Sequence, residues 1–403
     1  MNLKSFLPLA LVSILFVSCD VSNDDTDIKT PATYEFSRNG SSTISFSGQT
    51  TRINMATELT GAVNDFDNST EELLLEMYRN QTADGGDTDP FSNSDLNSAT
   101  KNIKGKVAAS SDFFSSNTAL SAEIKNQFEI WLKNQVEEVF PNKNTMASEG
   151  VAGQIADGSS TRYVNGKGFE YKQLVAKSLI GALMADQMLN NYLGTNVLDA
   201  GTNREDNSSE TLSEGNNHTT MEHKWDEAYG YLFGAAANPA KPAIGEGDSF
   251  LNKYLGKVDS DDDFAGIADE VFDAFKLGRA AIVANDYDLR DEQAQVIREN
   301  ISKVIAIRAI YYLQGGKNAI DKENPEYGTA FHDLSEAYGF VYSLQFTRVP
   351  NSESSYFTNS EINAYLAQLE EGNGLWDVTP QTLDDISADI AAKFDFTVEE
   401  AAN

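Results

Sequence analysis

Apolar residues recur at helical spacing along most of this chain. Trp225, Ala228, Tyr229 and Leu232 stand at i, i+3, i+4 and i+7, and Leu334, Ala337, Tyr338 and Val341 repeat that stripe. Similar periodicity predicts helices over residues 53–65, 70–80, 95–109 and 121–140, the last stopped by Pro141. It predicts further helices over 169–193, 264–284, 291–313, 359–370 and 380–394. Only residues 34–52 alternate. There Tyr34, Phe36, Ile44 and Phe46 flank Arg38-Asn39-Gly40-Ser41, and Asn-Gly between alternating segments signals a β-hairpin. Residues 81–90, 142–166 and 235–247 read as loops, and 372–376 as a packed loop. The expected fold is all-α helical bundles with a small N-terminal β-hairpin.

Two of the predicted helices carry one motif. Met221 to Gly234 contains His223, Glu227, Ala228, Tyr229, Gly230 and Tyr231; Ala330 to Leu344 contains His332, Glu336, Ala337, Tyr338, Gly339 and Phe340. Each histidine lies one helical turn from its glutamate, a spacing at which side chains touch. Glycine inside a helix costs about 1 kcal/mol relative to alanine, so its repetition predicts a close backbone neighbour. A long predicted helix precedes each copy, and the two share a Tyr-Leu step, Tyr192-Leu193 and Tyr312-Leu313. The chain thus reads as two helix–loop–helix units, 168–234 and 288–347, whose motif helices face each other within a C-terminal region of 167–403. Residues 34–166 form the N-terminal hairpin and helical region.

Composition narrows the function classes. A net charge of −32 over 403 residues argues against nucleic acid, whose phosphates need lysine and arginine. The single cysteine excludes an intrachain disulfide. Residues 1–18 have a basic Lys4 and a short apolar run, as in a lipoprotein signal peptide. Ser18-Cys19 follows Leu15-Phe16-Val17, which makes Cys19 the candidate lipidation site and residues 19–33 an acidic, disordered tether. The expected location is the bacterial outer membrane, anchored through Cys19 and surface-exposed.

Phosphate loops, serine-hydrolase elbows, Cys–His pairs and H-E-x-x-H are absent from the sequence. Asp259 to Asp263 lacks the glycine and glutamate of a calcium loop and reads as a solvated helix entry. The candidate site is therefore His223, Glu227, His332 and Glu336, with Tyr229, Tyr231 and Tyr338 flanking. Imidazole and carboxylate together suit a divalent metal or iron. The plainer reading of the same pairs is a structural His–Glu hydrogen bond that fixes the packing of a duplicated hairpin, with the tyrosines as core rings.

The hairpin with Ser47-Gly48-Gln49-Thr50, the start Lys167-Gly168-Phe169-Glu170, and His223-Lys224-Trp225-Asp226-Glu227-Ala228-Tyr229-Gly230-Tyr231 resemble the lipoprotein family catalogued as domain of unknown function 4856, from about Tyr34 onward. That family looks related to the imelysins, all-helical envelope proteins linked to iron acquisition and once labelled peptidases. Imelysins carry G-x-H-x-x-E; the corresponding positions here are Met221, His223 and Asp226, then Ala330, His332 and Ser335. The resemblance implies a binding protein in metal, iron or small-ligand acquisition, working with an outer-membrane transport system. A metallopeptidase-like hydrolase and a non-catalytic surface scaffold or adhesion lipoprotein are the alternatives.

Overall fold

In the computed structural model, which describes residues 28–403, the Asn-Gly step turns the chain as expected. Asn39 (φ 53°) and Gly40 (φ 80°) occupy the left-handed region, open to few residue types, and join β1 (Ser37–Arg38) to β2 (Ser41–Ser42). The hairpin is shorter than expected because α1 (Ser47–Ala62) already begins at Ser47. The leader of residues 1–18, Cys19 and residues 20–27 of the tether lie outside the described residues.

The described chain is mainly helical. After α1 come α2 (Glu71–Arg79), α3 (Ser94–Asn97), α4 (Ser111–Phe114) and α5 (Thr118–Asn134). Thr70 caps α2 by accepting from Leu73 N, and Asn80 closes it with φ 46°. The helix expected over 95–109 forms only as α3. Its later backbone is claimed by distant partners: Lys104 N donates to Tyr78 O (3.1 Å) and Ala108 N to Ala182 O (2.8 Å). Ala109 N donates to Asp186 Oδ2 at 2.9 Å. Tertiary contacts thus override local propensity.

A second hairpin occupies the region read as loop. β3 (Gly153–Asp157) pairs antiparallel with β4 (Ser160–Val164) across Gly158. Then follow α6 (Tyr171–Leu179), α7 (Thr195–Leu198), α8 (Asn203–Ser208) and α9 (Thr220–Phe233), the first motif helix. Next are α10 (Leu251–Asp259), which the sequence pattern did not predict, α11 (Ile267–Ala284) and the 34-residue α12 (Tyr287–Ile320). Asp259 accepts from Gly266 N and Ala268 N, both at 3.0 Å, and so caps the entry to α11. The second motif helix is α13 (Tyr327–Ser343), followed by α14 (Asn359–Leu369), α15 (Pro380–Ala391) and α16 (Val398–Ala401).

At 1.5 Å per residue α12 runs about 50 Å, and α10, α11, α13 and α15 pack along it. Helix α6 continues through π-helical turns, Ile180–Ala185 and Met188–Tyr192. The first has a visible cause. Ser343 Oγ accepts from Gly181 N (3.1 Å) and donates to Lys177 O (2.9 Å), inserting α13 into the hydrogen-bond ladder of α6. A Cβ at position 181 would overlap Ser343, so glycine is required there. Residues from both sides of position 166 share one apolar core, including Tyr34, Leu59, Phe128, Leu183, Trp225 and Val341. No described helix is long and apolar enough to cross a membrane.

Candidate functional site

Both motif segments are helical, but they do not face one another. Helix α9 lies on α1, α8, α11 and the C-terminal half of α6, whereas α13 lies on α12 and the N-terminal half of α6. The expected shared pocket of His223, Glu227, His332 and Glu336 is therefore replaced by two separate clusters. The physical reason is that α6 divides its length between both motif helices.

The clusters are built alike. In the first, His223 Nδ1 donates to Ser45 O at 2.9 Å, and Ser45 N donates to Asp226 Oδ2 at 3.1 Å. In the second, His332 Nδ1 donates to Glu170 Oε1 at 2.9 Å, and Glu170 N donates to Ser335 Oγ at 2.9 Å. Asp226 and Ser335 both stand three residues after their histidine. The repeated glycines do what their spacing predicted: a Cβ at Gly230 would strike Phe46 at the start of α1, and one at Gly339 would strike Lys177 of α6. Two residues after each histidine, Trp225 packs onto Gly278 of α11 and Leu334 onto Gly316 of α12. The shared Tyr-Leu step also has a structural counterpart, since Tyr192 stacks on Tyr231 (6.2 Å) and Tyr312 on Phe340 (5.7 Å). Glu227 adds to the upward push on the Tyr192 hydroxyl, and Glu336 does the same for Tyr312.

Each carboxylate already has a cation. Lys224 Nζ is 2.6 Å from Glu227 Oε2, and Gln49 Nε2 donates to Glu227 Oε1 at 3.0 Å. Glu336 Oε1 lies 3.4 Å from Lys177 Nζ and 3.5 Å from His332 Nε2, while Tyr254 Oη donates to Oε2 at 3.2 Å. Burial pushes both glutamates up, but Lys224 beside Glu227 and Lys177 beside Glu336 bring both below the ordinary carboxylate value. A metal needs deprotonated ligands with free lone pairs. Here they face ammonium groups, and among the described residues no group of three or more His, Cys, Asp or Glu side chains is placed to hold an ion. These donor sets do not fit a metal.

The flanking tyrosines are core rings. Tyr229 stacks on Tyr34 with centroids 3.6 Å apart, and its hydroxyl donates to Pro239 O. Tyr338 donates to Glu370 Oε1 at 2.6 Å. Tyr231 is fully buried and its hydroxyl has no partner among the described residues.

The second cluster lines a cleft. A cavity of about 420 Å³ is lined by Thr57, Thr60, Lys172, Lys177, Lys253 and His332, with Glu336 beside them and no residue of α9. Sequence reasoning missed its lysines and Glu170. The available signal was Lys177 itself, a charge inside Leu174-Val175-Ala176-Lys177-Ser178-Leu179, since a buried lysine calls for a partner.

The two histidines titrate in opposite directions. Burial lowers His332, but the Glu170 hydrogen bond and charge outweigh it and hold the ring above its ordinary value. Burial dominates at His223 and holds it below. The stabilising contribution of His332 is full below its unfolded pKa of about 6.5 and fades as pH rises through the higher folded value. His223 carries a penalty instead, which grows as pH falls below about 6.5. Imidazole NMR titration of wild type, His223→Gln and His332→Gln is expected to place the two resonances on opposite sides of 6.5. The reverse order would refute the assigned partners.

A family model described as Domain of unknown function (DUF4856) matches residues 31–397. No curated protein and no solved structure matches the chain.

Proposed function

We propose, for a chain that belongs to the DUF4856 family, the role of a lipid-anchored binding protein of the bacterial envelope that captures a small polar ligand for uptake. The observation that carries this reading is the cleft at the second motif copy. Ligand sites are concave, few in number and furnished with convergent polar groups, and here α1, α6, α10 and α13 meet around His332, Lys177 and Glu336. In both copies the glutamate is held by a lysine, Glu227 by Lys224 and Glu336 by Lys177. The second copy lines this cavity, to which the first contributes no residue. Neutralised carboxylates favour an organic ligand over a bare metal ion.

The anchor is Cys19, with the Ser18-Cys19 junction supporting the outer-membrane assignment. An outer-membrane transport system is the natural recipient of the ligand, a reading supported by the resemblance of the sequence to the imelysins.

Thr57 is exposed at the rim of the cleft, so Thr57→Trp blocks the mouth without touching the core. Native mass spectrometry of protein purified from the envelope is expected to show one small non-covalent adduct in wild type and none in Thr57→Trp. An adduct that persists in the blocked variant, or its absence from both, refutes the binding role at this cleft. In the same preparations Cys19→Ala is expected to move the protein from the membrane to the soluble fraction.

A further inference from the structure

We propose that this cleft is an oxyanion site in which Lys172, Lys177 and Lys253 receive the carboxylate or phosphate group of a small hydroxylated ligand. The inference rests on the binding role above and names the ligand's chemistry.

Three ammonium groups line one cavity in a chain with 62 acidic and 30 basic residues. Lys177 shares Glu336 with His332 and the Tyr254 hydroxyl. Lys172 and Lys253 have no carboxylate within ion-pair distance among the described residues. The His332–Glu170 pair is internally compensated, leaving Glu336 as the carboxylate that lines the cavity beside the three lysines. Asp248, just before α10, accepts from Phe250 N at 2.7 Å and offsets part of the Lys253 charge without lying within ion-pair distance of it.

Lys177 is buried, with a side chain only 7% exposed. A buried ammonium is costly unless paired and hydrogen-bonded, and Lys253 and Lys172 add like-charge repulsion to that cost. An oxyanion among the three relieves both, through short charge-assisted hydrogen bonds.

The opposite wall selects for hydroxyls. Thr57 Oγ1 donates to Ile53 O and Thr60 Oγ1 to Ala56 O, both at 2.9 Å. Their protons are committed to the α1 backbone, so towards the cleft these oxygens only accept. A ligand with an anionic end at α6 and α10 and O–H donors at α1 satisfies both walls. Hydroxycarboxylates and sugar phosphates have that form.

Isothermal titration calorimetry on the chain with citrate, glucose 6-phosphate, inorganic phosphate, glucose and spermidine tests this. At least one of citrate and glucose 6-phosphate is expected to bind more tightly than inorganic phosphate, with affinity falling as salt rises. Which of the two binds better decides between carboxylate and phosphate. Glucose and spermidine are expected not to bind. Lys172→Gln/Lys253→Gln is expected to weaken the anion by about tenfold or more, and Thr57→Trp to abolish it. Lys172 and Lys253 are only part-buried, so the double variant keeps its fold, checked by an unchanged melting temperature. Unaltered affinity in the double variant, binding of glucose or spermidine in place of anions, or no anion binding overturns the oxyanion assignment. The envelope adduct lost in Thr57→Trp would still stand in those cases, separating this failure from that of the binding role.

Discussion

Arg279→Met is expected to lower the stability of the fold by about 3–5 kcal/mol, as when one partner of a buried ion pair is removed. Arg279 is fully buried, and its guanidinium donates through Nε to Asp226 Oδ1 (3.1 Å), through Nη1 to Glu222 Oε1 (3.1 Å) and through Nη2 to Thr43 Oγ1 (3.0 Å). Tyr34 Oη also donates to Asp226 Oδ1 at 2.7 Å, and Arg38 reaches Glu222. Without Arg279, the carboxylate of Asp226 is left in the interior with no cation. Burial pushes Asp226 up to about 6 even in the native network, so protonation relieves part of the loss. The sign follows: a raised carboxyl pKa means the folded state holds its proton more tightly, and the damage shrinks as pH falls through that value. Urea midpoints at pH 5 and pH 8 check this, with the smaller loss expected at pH 5. A loss under about 1 kcal/mol at pH 8, the range of an exposed pair, would show that the network is not desolvated.

Trp225→Ala is expected to cost about 3–5 kcal/mol through the cavity it leaves. The indole is fully buried, donates to Phe275 O at 3.0 Å and lies flush on Gly278. The glycine supplies an internal control. Gly278→Val in the native chain forces a side chain into the ring and destabilises. In the Trp225→Ala background it enters the vacated space and is expected to restore part of the loss. Thermal melts of the four chains in this cycle check the reversal of sign. Two additive losses would mean that ring and glycine do not share that space. Leu334→Ala, at the matching contact on Gly316, is expected to cost less, because leucine fills less volume.

Much of the helical architecture was legible because local signals agreed with the packing. Thr70 and Asn80 bound α2 as their residue types suggest, and Thr358 with Glu361 forms a capping box at α14. Misreadings arose where a tertiary partner decided. Ser47-Gly48-Gln49-Thr50 is a weak helix former, yet α1 begins there and packs against α9 beside Gly230. Ala108 adopts φ 45° and gives its N–H to Ala182 rather than to a helix. The β3–β4 hairpin was missed although Asp157-Gly158 is a turn signal, because its strands bury little apolar surface.

The site was half legible. Repeated His, Glu, Gly and Tyr positions marked two helices with equivalent surroundings, and the glycines correctly announced close neighbours. Nothing in a repeat states which surfaces meet. That information resides in Ser343 and Gly181, which bind α13 to the N-terminal half of α6, and in Tyr192, which carries the other end of α6 to Tyr231. Lys172 and Lys253 are far apart along the chain, and only the fold makes them neighbours.

One helix therefore serves both copies of the motif, and this restrains how far either can change. Lys177 stands at one end of that rod and Tyr192 at the other, joined by two π-helical turns. An insertion or deletion between them would rotate one end relative to the other and spoil at least one neighbourhood. Single side chains at either end can differ, as Asp226 and Ser335 do, but the span between them is expected to keep its length.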